Sequence, residues 1–187
     1  MKKTRSILMV VLMLVVALSL SGCTLFGNKD KVEKEDNAQV AARGVMLAIT
    51  DEDAGSDDVK AYIASNFKTL IKVNVGDKLD FTLEDTFDFS LDSQKITNLF
   101  ETIREKMFRG NSVFDFTYAD LNGSKNKVTV QVGSGASSDE IKAFCKYEVK
   151  INDILITEGK ITFTMKSDNQ NNVVITGIEI VINVLNN

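Results

Sequence analysis

The sequence predicts an α+β fold in which two or three N-terminal helices pack on a curved antiparallel sheet of about five or six strands. Apolar residues recur with helical spacing as far as Gly110 and at every second position from there to the C-terminus. Helices followed by a run of strands are typical of the α+β class. The 187 residues, 44% hydrophobic and 26% charged, fit a single domain with a substantial core.

The first 20 residues have the composition of an export signal. Lys2, Lys3 and Arg5 precede an apolar stretch from Ile7 to Leu20 that only Ser19 interrupts. This stretch is shorter than the ~20 residues that a helix needs to cross a bilayer. We therefore expect no permanent transmembrane helix here.

The motif Leu20-Ser21-Gly22-Cys23 resembles the lipobox of bacterial lipoproteins, with a branched apolar residue and two small residues before a cysteine. The resemblance implies that residues 1–22 are removed as a signal peptide and that Cys23 becomes the lipidated N-terminus. Acyl chains such as palmitate would then anchor the chain, since two chains hold firmly where one binds marginally. The alternative is an ordinary secretory signal followed by a coincidental cysteine. Thr24 leaves the choice between inner and outer membrane open.

Residues 23–36 are predicted to form the lipidated cysteine and a flexible tether, and residues 37–187 a single domain. The tether is mostly polar and charged, and when extended it could reach roughly 45 Å from the membrane. The domain is therefore expected to face solvent outside the cytoplasm, in the cell envelope.

Three helices are predicted before Gly110. The first runs from Ala38 to Thr50, and the second begins at the N-cap Ser56 and carries one apolar face: Val59, Ile63 and Phe67. A hairpin of 69–75 and 78–83 around Gly76-Asp77 is favoured over an extension of the second helix to Ile71. The third helix lies between the cap Asp92 and Gly110, and five apolar residues line one face: Ile96, Leu99, Phe100, Ile103 and Met107.

Five strands are predicted after Gly110. Residues 114–118 and 128–132 alternate in polarity on either side of Asn122-Gly123, which predicts a hairpin. Residues 141–151 have an apolar and a polar face, and Asn152-Asp153 marks the next turn. Strands 154–166 and 173–185 follow, joined by the turn 167–172. The last strand is too apolar to form an unprotected edge.

The segments 159–165 and 173–179, together with the element order, resemble the nuclear transport factor two-like or cystatin-like cone fold. A lipocalin-type barrel fits less well, because it would place its strands before its helix. The resemblance implies a cone like that of isomerases and dehydratases, in which a carboxylate or histidine in the pocket moves a proton.

The composition excludes several kinds of chemistry. The chain has no histidine, which excludes histidine-dependent nucleophilic catalysis. Cys145 is the only cysteine left once Cys23 is acylated, which excludes an internal disulfide. Together these absences also exclude the usual zinc sites. Cys145 is expected to be a buried apolar residue. Without Lys2, Lys3 and Arg5, 19 basic residues remain against 26 acidic ones, a net charge of −7, which argues against nucleic acid as a partner.

Four segments could carry a site, and each also has a structural explanation. The acidic residues 51–53 and 57–58 could hold a hard cation, but they lack the calcium-loop pattern, so a solvated loop is favoured. Residues 168–172 fit a tight turn, and 133–138 fit a loop better than a phosphate cradle. Tyr118 and Tyr147 could bind an apolar ligand, although packing is the commoner role. No catalytic residue, metal ligand or cofactor is therefore predicted.

The function expected from these observations is a membrane-anchored lipoprotein whose domain is a non-catalytic ligand-binding or protein-interaction module. Its partners would be the membrane and either a protein or a small apolar ligand, and a homodimer is left open. The alternative is a small enzyme that uses a pocket carboxylate as general base. No acid lies on the core face of the predicted strands, so that carboxylate would have to come from the helical half.

Overall fold

The structure, a computed structural model, describes residues 31–51, 59–88, 93–133, 139–168 and 170–185. The predicted signal peptide, Cys23 and residues 24–30 of the tether lie outside them. The described residues form two long helices and seven strands: α1 (31–50), β1 (Ile63–Val75), β2 (Lys78–Asp88), α2 (Ser93–Phe108), β3 (Asp115–Ala119), β4 (Thr129–Val132), β5 (Glu140–Ile151), β6 (Ile154–Ser167) and β7 (Val173–Val184).

The strands form one open, curved sheet in the order β2-β1-β7-β6-β5-β3, and β4 pairs with β5 as well. Register shifts within several pairs mark bulges, which bend the strands. The α+β class is confirmed, but the expected antiparallel sheet of five or six strands is wrong, because β1 and β7 run parallel. Parallel neighbours need a long crossover, which local turn signals do not reveal. As expected, β7 is not an edge, since β1 and β6 flank it.

Helix α1 already includes residues 31–36, which the sequence analysis assigns to the tether. The first turns make polar contacts with the domain: Lys34 Nζ lies 3.8 Å from Asp139 Oδ1, and Asn37 Nδ2 donates to the carbonyl of Asn171 at 2.8 Å. Lys31 and Glu35 also form an i,i+4 pair. Because these contacts are polar, this part of the helix has no apolar periodicity to reveal it.

The predicted second helix is wrong from Ile63 onward, since Ile63 and Phe67 belong to β1. A spacing of four residues fits a helix, but it also fits a strand, in which alternate residues share a face. Both side chains are buried in the core, as either reading requires. The proposed cap Ser56 lies outside the described residues. The hairpin around Gly76-Asp77 is confirmed, and Gly76 has the positive φ that this turn needs.

The third predicted helix is confirmed as α2, and all five residues of its apolar face are buried. It ends where Arg109 and Gly110 adopt positive φ angles of 54° and 72°. Arg104 in its last turns donates to the carbonyls of Ala48 and Asp51, both at 3.0 Å, and so satisfies free acceptors at the end of α1. Asp92 lies outside the described residues.

The predicted hairpin of β3 with β4 is wrong, because both strands pair with β5 along the same edge. Between them, the side chain of Asp120 accepts the backbone N–H groups of Asn122 and Ser124 at 2.9 and 2.8 Å. The resulting loop returns the chain to its original direction instead of reversing it. The β5–β6 hairpin is confirmed, with positive φ at Asn152 and Asp153.

Gly44 of α1 provides the space into which Tyr62 packs. An added Cβ at this position would lie 2.7 Å from Cδ2 and Cζ of the Tyr62 ring. We expect Gly44→Ala to destabilise the protein by about 1 kcal/mol, as the ring is displaced. In a Tyr62→Ala background the same change should instead stabilise it by about 1 kcal/mol through helix propensity. Urea unfolding followed by circular dichroism measures both values, and the same sign in both backgrounds would contradict this account.

Candidate functional site

Phe114, Phe116 and Tyr118 form a row of half-buried aromatic side chains at the β3 edge of the sheet, which we call the aromatic row. Phe116 and Tyr118 are on the core face, since they pair with Val149 and Tyr147 of β5. The alternation with Asp115 and Thr117 places those polar residues on the opposite face. The aromatic row is therefore continuous with the core on one side and reaches solvent on the other.

Ring contacts order the aromatic row against the buried core. Phe114 stacks on the buried Phe108 at the end of α2, with centroids 3.8 Å apart and an interplanar angle of 17°. Phe116 lies 6.1 Å from Phe108, 6.0 Å from Tyr147 and 6.1 Å from Tyr118. The three separations from Phe116 are in the range of favourable aromatic pairs. The two buried rings thus form a fixed base for the three half-buried ones.

Tyr118 is at the polar end of the aromatic row, next to α1. Burial raises the pKa of its phenol, the positive charge of Arg43 on α1 opposes that shift, and Cys145 adds a small increase. The exposed guanidinium of Arg43 therefore acts electrostatically on the phenol. A half-exposed aromatic surface with a cation at one end can receive an apolar ligand that carries an acidic group.

Tyr147, the other tyrosine considered from sequence, is a packing residue. Its side chain is 2% exposed, and its Cε1 would lie 3.0 Å from a Cβ added at Gly159. The hydroxyl reaches the carbonyl of Val181 at 3.4 Å. Burial strongly raises the pKa of this phenol, so it stays neutral at physiological pH. The structure thus separates the pair into a core residue and a half-exposed one.

The described interior is almost wholly apolar. Thr69 and Thr157 are its buried polar residues, and no carboxylate is buried among the described side chains. Cys145 is buried as expected, and burial raises the pKa of its thiol to about 12. A thiol in this state is unreactive, because the thiolate is the nucleophilic form.

The remaining sequence candidates do not come together as a site in the described residues. Asp51 is exposed at the end of α1, whereas Glu52, Asp53, Asp57 and Asp58 lie outside the described residues, as do 134–138 and Asn169. The Asp168 carboxylate accepts the backbone N–H groups of Gln170 and Asn172 at 2.8 and 2.9 Å, which confirms a turn. No group of three or more potential metal ligands occurs in the part of the chain that the structure describes.

Among the helices within the described residues, none is both long and apolar enough to cross a bilayer.

Sequence reasoning identified Tyr118 but not Arg43. The alternation of Phe114, Phe116 and Tyr118 with polar residues is evident in the sequence, and it correctly predicted that the three aromatic side chains share one face. Arg43 could not be assigned to this place, because the position of a helix residue against a distant strand depends on how the two elements pack. From the sequence, a charged residue on the exposed side of a helix does not reveal which strand residue it will lie near.

Comparisons with known proteins give a similarity of fold only. No family model matches the chain, and no curated protein matches it. Among solved structures, the chain is similar to the crystal structure of an NTF2-like protein with a cystatin-like fold from Novosphingobium aromaticivorans. The two are 16% identical, the match covers 88% of each chain, and the TM-score is 0.46. At this level the similarity identifies no function and no site residue.

Proposed function

We propose that the protein is a bacterial lipoprotein, anchored by acyl chains on Cys23, whose domain lies outside the cytoplasm as a non-catalytic binding module. The motif Leu20-Ser21-Gly22-Cys23 and the basic, apolar segment before it support the anchor. At most about 28 Å of extended chain separates Cys23 from residue 31, where α1 is already helical. The module would therefore be held close to the membrane.

The anchor is tested by metabolic labelling with an alkyne-bearing fatty acid in a bacterial host. The full-length protein should take up label, and Cys23→Ala should reduce it by at least tenfold, because no other residue in the motif offers a thiol. Cys145→Ser is the matched control and should label like the unchanged protein, since Cys145 is buried. Equal labelling of the Cys23→Ala protein would contradict the anchor.

The aromatic row is the observation that supports a ligand-binding role for the module. It offers half-exposed aromatic rings and a nearby guanidinium, while no buried carboxylate accompanies it in the described residues. The ligand class that fits is a small apolar molecule with an acidic group. A protein partner that presents the same chemistry, such as an apolar side chain beside a carboxylate, fits the same surface.

The probe 8-anilinonaphthalene-1-sulfonate tests this role, because it combines fused rings with one anion. With soluble chain starting at residue 24, we expect saturable binding that Tyr118→Ser and Arg43→Gln each weaken about tenfold. Leu79→Ser is the control, since Leu79 is a 61% exposed apolar residue on β2, at the other edge of the sheet. If neither Tyr118→Ser nor Arg43→Gln changed the affinity for the probe, the proposed binding surface would be contradicted.

The alternative of a small enzyme with a carboxylate base receives no support from the described residues. Such a base needs a raised pKa inside a water-poor site, and none of the described carboxylates is buried. We therefore do not advance it as a second function.

A further inference from the structure

The solvent-facing side of α1 carries three large apolar side chains. Val32, Val40 and Leu47 are 53%, 58% and 63% exposed, although the opposite side of this helix is packed in the core. They follow one another at intervals of about two turns, which places them on one side of the helix. Asp36 and Arg43, which are also exposed, lie between them on the same side. We call these five residues the α1 stripe.

The charges of the α1 stripe are not neutralised within the described residues. Neither Asp36 nor Arg43 belongs to an ion pair there, although Lys31 and Lys34 of the same helix do. Asp36 and Arg43 are about 10 Å apart along the helix axis, which is too far for them to pair with each other. The stripe therefore presents to solvent an order of apolar, acidic, apolar, basic and apolar side chains.

This order is complementary to itself when a second copy runs in the opposite direction. Asp36 and Arg43 lie at equal distances on either side of the midpoint between residues 39 and 40, and so do Val32 and Leu47, farther out. In an antiparallel helix pair with a two-fold axis through this midpoint, each residue faces the one that is equally far on the other side. Asp36 then faces Arg43 of the second copy, and symmetry repeats the contact. Val32 likewise faces Leu47, and the two Val40 side chains meet at the axis.

We infer that the α1 stripe binds the α1 stripe of a second copy of this chain as an antiparallel helix pair. A parallel pair would oppose Asp36 to Asp36 and Arg43 to Arg43, and such like-charge contacts are unfavourable. The antiparallel pair satisfies both charges and covers the exposed apolar side chains. Packed helix axes lie 8–10 Å apart, a distance that aspartate and arginine side chains bridge together.

Arg43 belongs both to the α1 stripe and to the surface proposed for a small acidic ligand. A guanidinium has five N–H donors, so it can bind Asp36 of the second copy and a ligand anion together. The pairing of two copies needs neither the ligand nor the lipid anchor, so it does not depend on the proposed function.

Charge reversal tests this pairing with full-length chains. Two copies with different C-terminal affinity tags are co-expressed, solubilised in mild detergent and purified through one tag. Unchanged copies should co-purify. Asp36→Arg copies should co-purify about tenfold less, because arginines then face each other at both symmetry-related contacts. Arg43→Asp copies should show a similar loss through opposed aspartates.

The two single variants should nevertheless bind each other. When one chain carries Asp36→Arg and the other Arg43→Asp, both contacts between positions 36 and 43 are again attractive, and co-purification should return to the original level. A variant that failed to fold could not give this result. Lys78→Glu, at an exposed position on the far edge strand β2, is the control and should leave pairing unchanged. Failure of unchanged copies to co-purify, or equal recovery from all combinations, would overturn the inference.

The position of Val40 at the two-fold axis gives a second, geometric test. Full-length chains that carry Val40→Cys are oxidised with copper phenanthroline in isolated membranes, and covalent dimers are measured on a non-reducing gel. Val113→Cys is the control, because Val113 is 83% exposed but lies in the loop before β3. A disulfide needs closely approaching Cβ atoms, so we expect the control to give about a tenth as much dimer. Equal amounts of dimer from the two variants would contradict the antiparallel pair.

Discussion

Gly159→Ala is expected to lower the free energy of unfolding by about 3 kcal/mol. A Cβ at this position would overlap the backbone carbonyl oxygen of Val181 and lie 3.0 Å from Cε1 of Tyr147. Backbone in the middle of a sheet cannot move aside without breaking ladder hydrogen bonds, and Gly159 pairs with Ile182 of β7. Denaturant unfolding followed by circular dichroism should show the loss as a lower midpoint.

Gly177→Ala is the matched control for this prediction. Gly177 also lies in the sheet, but the nearest atom to an added Cβ is the Lys68 carbonyl oxygen at 3.3 Å. An alanine there needs only a small adjustment, and it reduces the entropy of the unfolded chain. We expect a change within about 1 kcal/mol. Equal losses of unfolding free energy at the two positions would show that the space available for a Cβ atom is not the cause.

Thr157→Val is expected to destabilise the protein by about 1–3 kcal/mol. The Thr157 hydroxyl donates to the carbonyl of Met107 at 2.6 Å, in the buried space between β6 and the end of α2. Valine has the same shape, so the change removes the hydrogen bond and leaves a buried carbonyl unsatisfied without creating a cavity. The measurement is the shift of the unfolding midpoint in urea.

Thr69→Val should have the opposite sign. The Thr69 hydroxyl is also buried, but it has no hydrogen-bond partner. Its replacement by a methyl group removes an unsatisfied polar group and should stabilise the protein by about 1 kcal/mol. If both substitutions destabilised the protein, the assignment of hydrogen bonds to the two hydroxyls would be wrong.

The sequence was sufficient for elements whose evidence is local. The apolar face of α2 and the alternation of β5 predicted the helix, the strand and their buried sides, and Asn152-Asp153 predicted the turn between β5 and β6. In each case the residues that determine the element lie within a few positions of each other.

The sequence was insufficient where distant contacts decide the outcome. The sequence of residues 31–36 is that of a solvated tether, whereas in the structure the first turns of α1 contact Asn171 and Asp139. The pairing of β3 and β4 with one edge of β5 depends on the loop at Asp120, and the position of Arg43 near Tyr118 depends on helix packing. These features arise from packing between elements, which a local pattern does not encode.

The parallel pair of β1 with β7 has a kinetic consequence. It joins residues far apart in the sequence, as in the hydrogen bond from Asn74 Nδ2 to Asn183 Oδ1 across 109 positions. Contacts of such high separation slow folding, because closing the long intervening loop costs chain entropy before the contacts stabilise the structure. The β1–β2 hairpin can join the rest of the sheet only after β7 has been synthesised. If the chain crosses a membrane unfolded, as the proposed function requires, it would thereby stay competent for export until β7 has been translated.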